Sequence, residues 1–238
     1  MITTSPHILP LGDQAICIQY PQIIQEELHQ QIMLHYESLL YYKTEYITDI
    51  IPAYSSISIV YNFEKVILHT NSENIIQYIS DWILNTIQKP LNKELRENRI
   101  IEIPICYHPS FALDIQKISE GNNIAIDEII QQHHSKKYTV FMLGFLPGFP
   151  YMGIVPSSIS FPRLTNPRTV VEAGSVGIAG EQTGIYPLQS PGGWNIIGRT
   201  PIRLFNSELS NPCFLKPGNI VQFVTISLEE FNHLKSSI

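Results

Sequence analysis

Apolar and polar positions along the chain follow two different rhythms. In QAICIQY (14–20) and SSISIVYN (55–62) they alternate, which is the period of a half-buried strand. ITDIIP (47–52) is a third strand-like run, joined to the next by a Pro-Ala-Tyr turn. Between the first two runs, Ile24, Leu28, Ile32, Tyr36 and Leu40 recur every four residues. That spacing predicts a helix with one buried face, and Pro21 suits its first position. A second helix is predicted with Ile75, Ile76, Ile79, Trp82, Ile83 and Ile87 on its apolar side, opened by a capping box of Thr70 and Glu73. The order β-α-β-β-α predicts a small α+β domain over residues 1–90, a ferredoxin-like sandwich with both helices on one face of an antiparallel sheet.

KPLNKELREN (89–98) is polar and reads as a linker. Beyond it the rhythm shortens. RIIEIPICY (99–107) starts a new strand, and short helices are predicted near 114–120 and 125–134. From Tyr138 onward the apolar runs are strand-length: YTVFML, RTVVEA, VGIAG, WNIIGRT, IRLFN and NIVQFVTI. Eleven of the 13 glycines and ten of the 17 prolines fall in 144–218. Short strands punctuated by Gly and Pro turns predict a mainly-β, closed or nearly closed barrel over residues 98–238. No internal repeat is present.

FMLGFLPGFPYMG (141–153) is the most apolar stretch, yet Gly and Pro interrupt it every few residues. No charge falls between Lys137 and Arg163, but seven of those 25 positions are Gly or Pro. A lipid-facing segment must satisfy its backbone internally, so a loop-rich segment covered by protein is expected, with no membrane partner.

Bulk composition narrows the function. The net charge of −6 argues against nucleic acid as a partner. Cys17, Cys106 and Cys213 are odd in number and far apart, which fits a reduced, cytoplasmic compartment. MITTSPHILP lacks the basic-then-apolar order of a signal peptide. There is no GxxxxGK[ST] phosphate cradle, no HExxH and no Cys/His zinc spacing. His133 and His134 are adjacent, so on a helix they point about 100° apart and make a poor metal pair. No metal ligand set is expected.

The residues able to do chemistry concentrate in the barrel segment. Four of the six arginines lie in 163–203, including Arg163, Arg168 and Arg199. A guanidinium fork suits a carboxylate or phosphate, or else a surface salt bridge. GSVGIAGEQTGIYPLQSPGGWNIIGRTP (174–201) brings glycines together with Gln182, Tyr186, Gln189 and Trp194. Such turns let backbone approach a ligand, or else simply turn barrel corners. His133 titrates near neutrality and is the acid/base candidate, or else a helix C-terminal histidine facing the dipole.

GFLPGFPYMG, PRLTNPRTVVEAGSVGIAGEQTGIYPLQSPGGWNIIGRTP and the H-x₄-Y of His133 and Tyr138 closely resemble the allophanate hydrolase subunit 1 / KipI family. LGDQA (11–15) and IIPAYSSISIVYN (50–62) extend the resemblance to the front half. The resemblance implies a small α/β domain followed by a cyclophilin-like β-barrel. It implies a subunit of an ATP-dependent 5-oxoprolinase, with ATP as co-substrate at a site shared between chains. The expected partners are a homologous barrel of the allophanate hydrolase subunit 2 type and a third 5-oxoprolinase subunit. Two alternatives come with it: inhibition of a sensor histidine kinase, and a carboxyltransferase-type part related to urea amidolyase. On this reading His133 and Arg199 are catalytic. Arg168, Gln182, Tyr186, Gly192, Gly193 and Trp194 bind substrate. Phe145, Pro147, Phe149 and Tyr151 face the partner. One turn departs from the family: CYHPSFALDI (106–115) keeps Phe111 and Asp114 but has Ala112 and Leu113 where Gly and Pro are expected.

Overall fold

A computed structural model describes residues 6–70, 74–89 and 100–236. The chain divides into two compact units, Met1–Glu97 and Asn98–Ile238.

In the first unit the elements run β1 (His7–Pro10), β2 (Ala15–Gln19), α1 (Glu26–Tyr41), β3 (Ile47–Pro52), β4 (Ser56–Tyr61), α2 (Phe63–Thr70) and α3 (Ile75–Ile87). The strands form an antiparallel sheet in the order β1-β2-β4-β3. Alternation puts Ile16, Ile18, Ile57, Ile59 and Tyr61 on one buried face. Leu28, Ile32 and Leu39 of α1 and Ile75, Ile79 and Ile83 of α3 join them in one core. Each such side chain stabilises the fold by about 1.5–3 kcal/mol on burial.

Several sequence expectations shift here. Helix α1 begins at Glu26, well after Pro21. Leu40 is exposed and Leu39 is buried in its place, because a four-residue step overshoots the 3.6-residue turn by about 40° each time. Ile76 is exposed because it stands about 100° around the helix from Ile75, off the buried line of Ile75, Ile79 and Ile83. Thr70 closes α2, and Asn74 caps α3 by accepting the Gln77 N–H at 3.0 Å. Glu73, and the linker from residue 90, lie outside the described residues. A ferredoxin-like sandwich reads β-α-β-β-α-β. Here the strand beside β2 is β1, which precedes it in the chain, so that description is not met as expected.

The second unit contains β5 (Ile100–Ile105), α4 (Ile115–Asn122), α5 (Ile126–Ser135), β6 (Lys137–Leu143), β7 (Pro150–Gly153), β8 (Arg168–Val171), β9 (Ser175–Ala179), β10 (Gln182–Ile185), β11 (Ser190–Gly192), β12 (Asn195–Arg199), β13 (Ile220–Thr225) and α6 (Leu228–Ser236). Seven strands form one sheet in the order β12-β9-β10-β7-β6-β13-β5, and β8 pairs with β11 separately. The sheet curls until its two edges meet. Cys106, just past β5, pairs with Arg199 at the end of β12 through two backbone hydrogen bonds of 2.8 and 3.0 Å. All seven strands feed one core cluster, to which α4 and α5 add Ile115, Ile118 and Ile129. That face is therefore the interior of a nearly closed barrel.

IRLFN is not a strand; only Phe205 forms an isolated bridge, to Cys213. The apolar stretch at 141–153 is a β6–β7 hairpin with loop 144–149. Gly148 supplies a positive φ of 81° in that loop. No helix among the described residues is long and apolar enough to cross a membrane.

Candidate functional site

Strand β10 separates two environments. Successive side chains on a strand point to opposite faces. Thr183 and Ile185 point into the barrel, whereas Gly184 opens to the other face.

On the inner face stands His133, brought there by α5 and fully buried. The Tyr107 hydroxyl donates to His133 Nδ1 at 2.7 Å. His133 Nε2–H donates to Thr183 Oγ1 at 2.9 Å. The Thr183 hydroxyl then donates to the Gly177 carbonyl at 3.1 Å. The Thr183 donation to Gly177 leaves Nε2–H as the donor to Thr183, and burial favours the neutral ring, whose Nδ1 then accepts from Tyr107. Burial pushes the His133 pKa down to about 3, with a smaller push from His134. Burial also raises the Tyr107 phenol well above its usual value. The H-x₄-Y motif has a structural explanation: the Tyr138 hydroxyl donates to the His133 carbonyl at 2.9 Å, near the end of α5. His133 also stacks on Phe223 at 4.6 Å. The structure therefore sets His133, expected from the sequence to be catalytic, inside the barrel, with both ring nitrogens hydrogen-bonded to side chains of this chain and its proton affinity lowered by burial.

The outer face is aromatic. Phe149, Val171, Ala179, Tyr186, Trp194 and Ile196 form a cluster, with Leu146 and Tyr151 against it. Phe149 lies 5.2 Å from Tyr186 and 5.3 Å from Trp194, both edge-to-face, a favoured arrangement of ring quadrupoles. The floor beneath these rings is a cross-strand pair, Gly177 opposite Gly184. A Cβ on Gly184 would come within 2.9 Å of Phe149 and 3.0 Å of Trp194. These glycines thus make room for rings of this chain rather than for a ligand. At Gly192 the corresponding space is filled by the Tyr186 hydroxyl.

The expected partner-facing residues divide. Phe145 is 61% exposed, with a φ of 67°, and Pro147 is exposed. Tyr151 is half-buried, and Phe149 is only 1% exposed. Phe149 is therefore a support beneath the surface, because its ring carries the edges of Phe145 and Tyr186.

Three arginines border this face or the barrel end next to it, and they differ in their commitments. Arg168 Nη2 donates to Asp114 Oδ1 at 2.6 Å. Asp114 Oδ2 in turn accepts the Ile196 N–H at 2.6 Å. Arg199 Nε donates to the Ala173 carbonyl at 2.8 Å, its Nη2 lies 3.6 Å from Glu172, and its guanidinium sits 5.8 Å from the Phe111 ring. The turn that departs from the family thus touches both, through Phe111 and Asp114. Arg163 is exposed and lies 5.8 Å over Trp194.

The structure therefore gathers Arg168, Tyr186, Gly192, Gly193 and Trp194. Gly192 pairs with Arg168 across β11 and β8. The Gly193 carbonyl accepts the Leu164 N–H at 2.8 Å, and the Trp194 backbone N–H donates to the Tyr186 hydroxyl. Gln182 shares the outer face but stands at the far end of β10 from Tyr186, about 13 Å along the strand. Arg199 belongs to the closing seam. Sequence reasoning missed Asp114 as an anchor and the placement of Arg163 over Trp194. The retained Asp in the altered turn was the one signal available for the first.

Residues 6–215 match the family described as carboxyltransferase domain, subdomain C and D, and the chain belongs to that family. It is 34% identical to a 5-oxoprolinase subunit of Bacillus subtilis (strain 168), over 98% of both chains. It is 44% identical to the 5-oxoprolinase subunit of the same designation in Escherichia coli O157:H7, over 54% of this chain and 59% of that one. A weaker likeness, 26% over 175 residues, reaches 67% of this chain but only 10% of urea amidolyase of Lachancea kluyveri. Among solved structures, TTHA0988 gives a TM-score of 0.77 at 27% identity, covering 90% of this chain and 40% of that chain. The conserved uncharacterized protein PH0987 from Pyrococcus horikoshii gives 0.55 at 37% identity, covering 94% of this chain and 100% of that one. The urea amidolyase of K. lactis gives 0.69 at 20% identity, a likeness of fold, over 98% of this chain and 16% of that chain.

Proposed function

We propose that this chain is one subunit of an ATP-dependent 5-oxoprolinase, which opens 5-oxo-L-proline to L-glutamate. The observation that carries the reading is the 34% identity to a 5-oxoprolinase subunit over 98% of both chains. The geometry is consistent with a subunit rather than a whole enzyme. The outer face offers aromatic surface and cations, and Phe145 and Pro147 stand exposed beside it. On this reading the curled sheet is a cyclophilin-like barrel, and a second barrel chain covers the hairpin at Phe145. A third subunit completes the complex.

A lactam is a stable amide. Phosphorylation of its oxygen by ATP lets water add to the ring carbon and the ring nitrogen leave as an amine. The acyl phosphate so formed is then hydrolysed. His133 is sealed inside the barrel, so proton transfer falls to a group on a companion chain or to water. ATP is bound at a site shared between the chains, a reading that fits the lack of a phosphate-cradling motif in this chain.

The test is glutamate release from 5-oxoproline and ATP with all three subunits, repeated with each left out. Activity that needs this chain supports the reading; release at the same rate without it rejects the reading. The family description and the urea amidolyase likeness favour one second reading, a carboxyl-transferring part of a biotin-dependent enzyme. Carboxylation of urea that requires this chain and a biotinylated carrier would replace the first reading with the second.

A further inference from the structure

The three arginines allow a choice that the sequence did not. Arg168 is anchored to Asp114, and that carboxylate is itself tied to the Ile196 N–H. Arg199 is bound to the Ala173 carbonyl and faces Glu172. Arg163 alone of the three has no carboxylate partner among the described residues. It is exposed, and its guanidinium is held over the face of Trp194 at 5.8 Å. A cation over an indole is oriented by the ring quadrupole while its N–H donors stay available. Its charge also bears on the phenols of Tyr151 and Tyr186, favouring their ionised forms against the larger upward push of burial. The groups Arg163 bears on, Tyr151, Tyr186 and the Trp194 ring, are uncharged near neutral pH and pack with the rings of this face. An anion arriving there meets an unneutralised fork.

We infer that Arg163 is the carboxylate-recognising residue of this face, with Trp194 as the residue that positions it. The ligand class is a small molecule bearing a carboxylate beside a ring. This rests on the function proposed above, in which the substrate's carboxylate is the group that does not react. Arg168, expected from sequence to bind substrate, and Arg199, expected to be catalytic, instead fix the turn and the seam around it.

The experiment has two arms. In the three-subunit complex, R163Q raises KM for 5-oxoproline on the order of tenfold to a hundredfold, the loss expected for one charge-assisted pair. The kcat stays within about threefold, because the carboxylate is bound equally in ground and transition states. R163K recovers part of the loss. Unchanged KM for R163Q in an active complex overturns the inference. The second arm needs no activity. The isolated wild-type chain and R163Q are titrated with 5-oxoproline and with its carboxamide, followed by the indole N–H resonance of Trp194. The wild type prefers the acid, and R163Q loses that preference. Equal behaviour of the two proteins, including no response in either, overturns the inference. A wild-type complex without activity, together with an acid preference that depends on Arg163, would reject the proposed function and leave the carboxylate site standing.

Discussion

Thr183 and Gly184 are neighbours on β10, and the faces they serve are built on opposite principles. On Thr183's side a titratable ring is sealed in the barrel, and each of its nitrogens has a partner. On Gly184's side, rings pack edge to face and their rim reaches solvent. The residue type usually associated with catalysis stands on the sealed side, and the apolar stretch carries the exposed Phe145 and Pro147 on the other. A buried polar network fixes one arrangement because any unpaired member is penalised in a low dielectric. Packed rings tolerate an open edge because nothing polar is stranded there.

The contrast breaks most readily from the inside. H133A leaves the Tyr107 hydroxyl and Thr183 without their partner and opens a cavity, so it lowers stability by about 4 kcal/mol. Chemical denaturation of the single variant measures this. Acid sharpens the same point. The unfolded histidine titrates near 6.5 and the folded one near 3. Between those values the unfolded chain binds the extra proton. This residue's contribution is therefore present above pH 6.5 and is lost as pH falls toward 3, at about 1.4 kcal/mol per unit. Urea midpoints taken across that window should lose this slope in H133Q; an equal slope in both proteins would count against a neutral buried ring.

Asp114 joins the two faces' supports. D114N weakens the hold on Arg168 and lowers stability by about 2–4 kcal/mol, read from thermal melts. On the outer face, G184A presses a methyl group against Phe149 and Trp194 and costs about 1–3 kcal/mol; near-ultraviolet circular dichroism of the aromatic cluster should change with it. The smallest effect on stability is at the rim. F145S stays within about 0.5 kcal/mol of wild type, yet weakens association with the companion barrel on the order of tenfold. Sedimentation of mixtures, set beside the melts of the isolated variant, separates the two quantities.

Elements whose own residues carry a clean period were legible. The strands at 47–52 and 56–61 were read nearly residue for residue, the second because it alternates over one buried face and the first because its β-branched residues run up to a turn, both local signals. Strands β7, β10 and β11 were not, since Pro150, Gly184 and Pro191 weaken any intrinsic strand preference. Their pairing is imposed by neighbours instead. Helix α6 and the edge strand β1 were missed as well. At the site, the cluster around Trp194 could be anticipated from the density of glycine and aromatic residues. Which arginine is free could not. Asp114 and Arg168 are 54 positions apart, and nothing local marks one guanidinium as anchored and another as open. Burial of His133 was hidden in the same way, because Thr183 and Tyr107 reach it from distant strands and turns.

The parallel pairing of β5 with β13 has a consequence for how the protein is made. Ile100 lies opposite Ile220, so the two strands are completed 120 residues apart on the ribosome. At about 5–20 residues per second that is roughly 6–24 s. Throughout that interval β5, with its run of isoleucines, has no sheet neighbour, since β13 is the strand beside it and only the Cys106–Arg199 bridge touches its far end. The strands of the first unit all lie within residues 7–61. The barrel unit instead carries an unpaired apolar strand until β13 is added, the kind of open edge that favours aggregation.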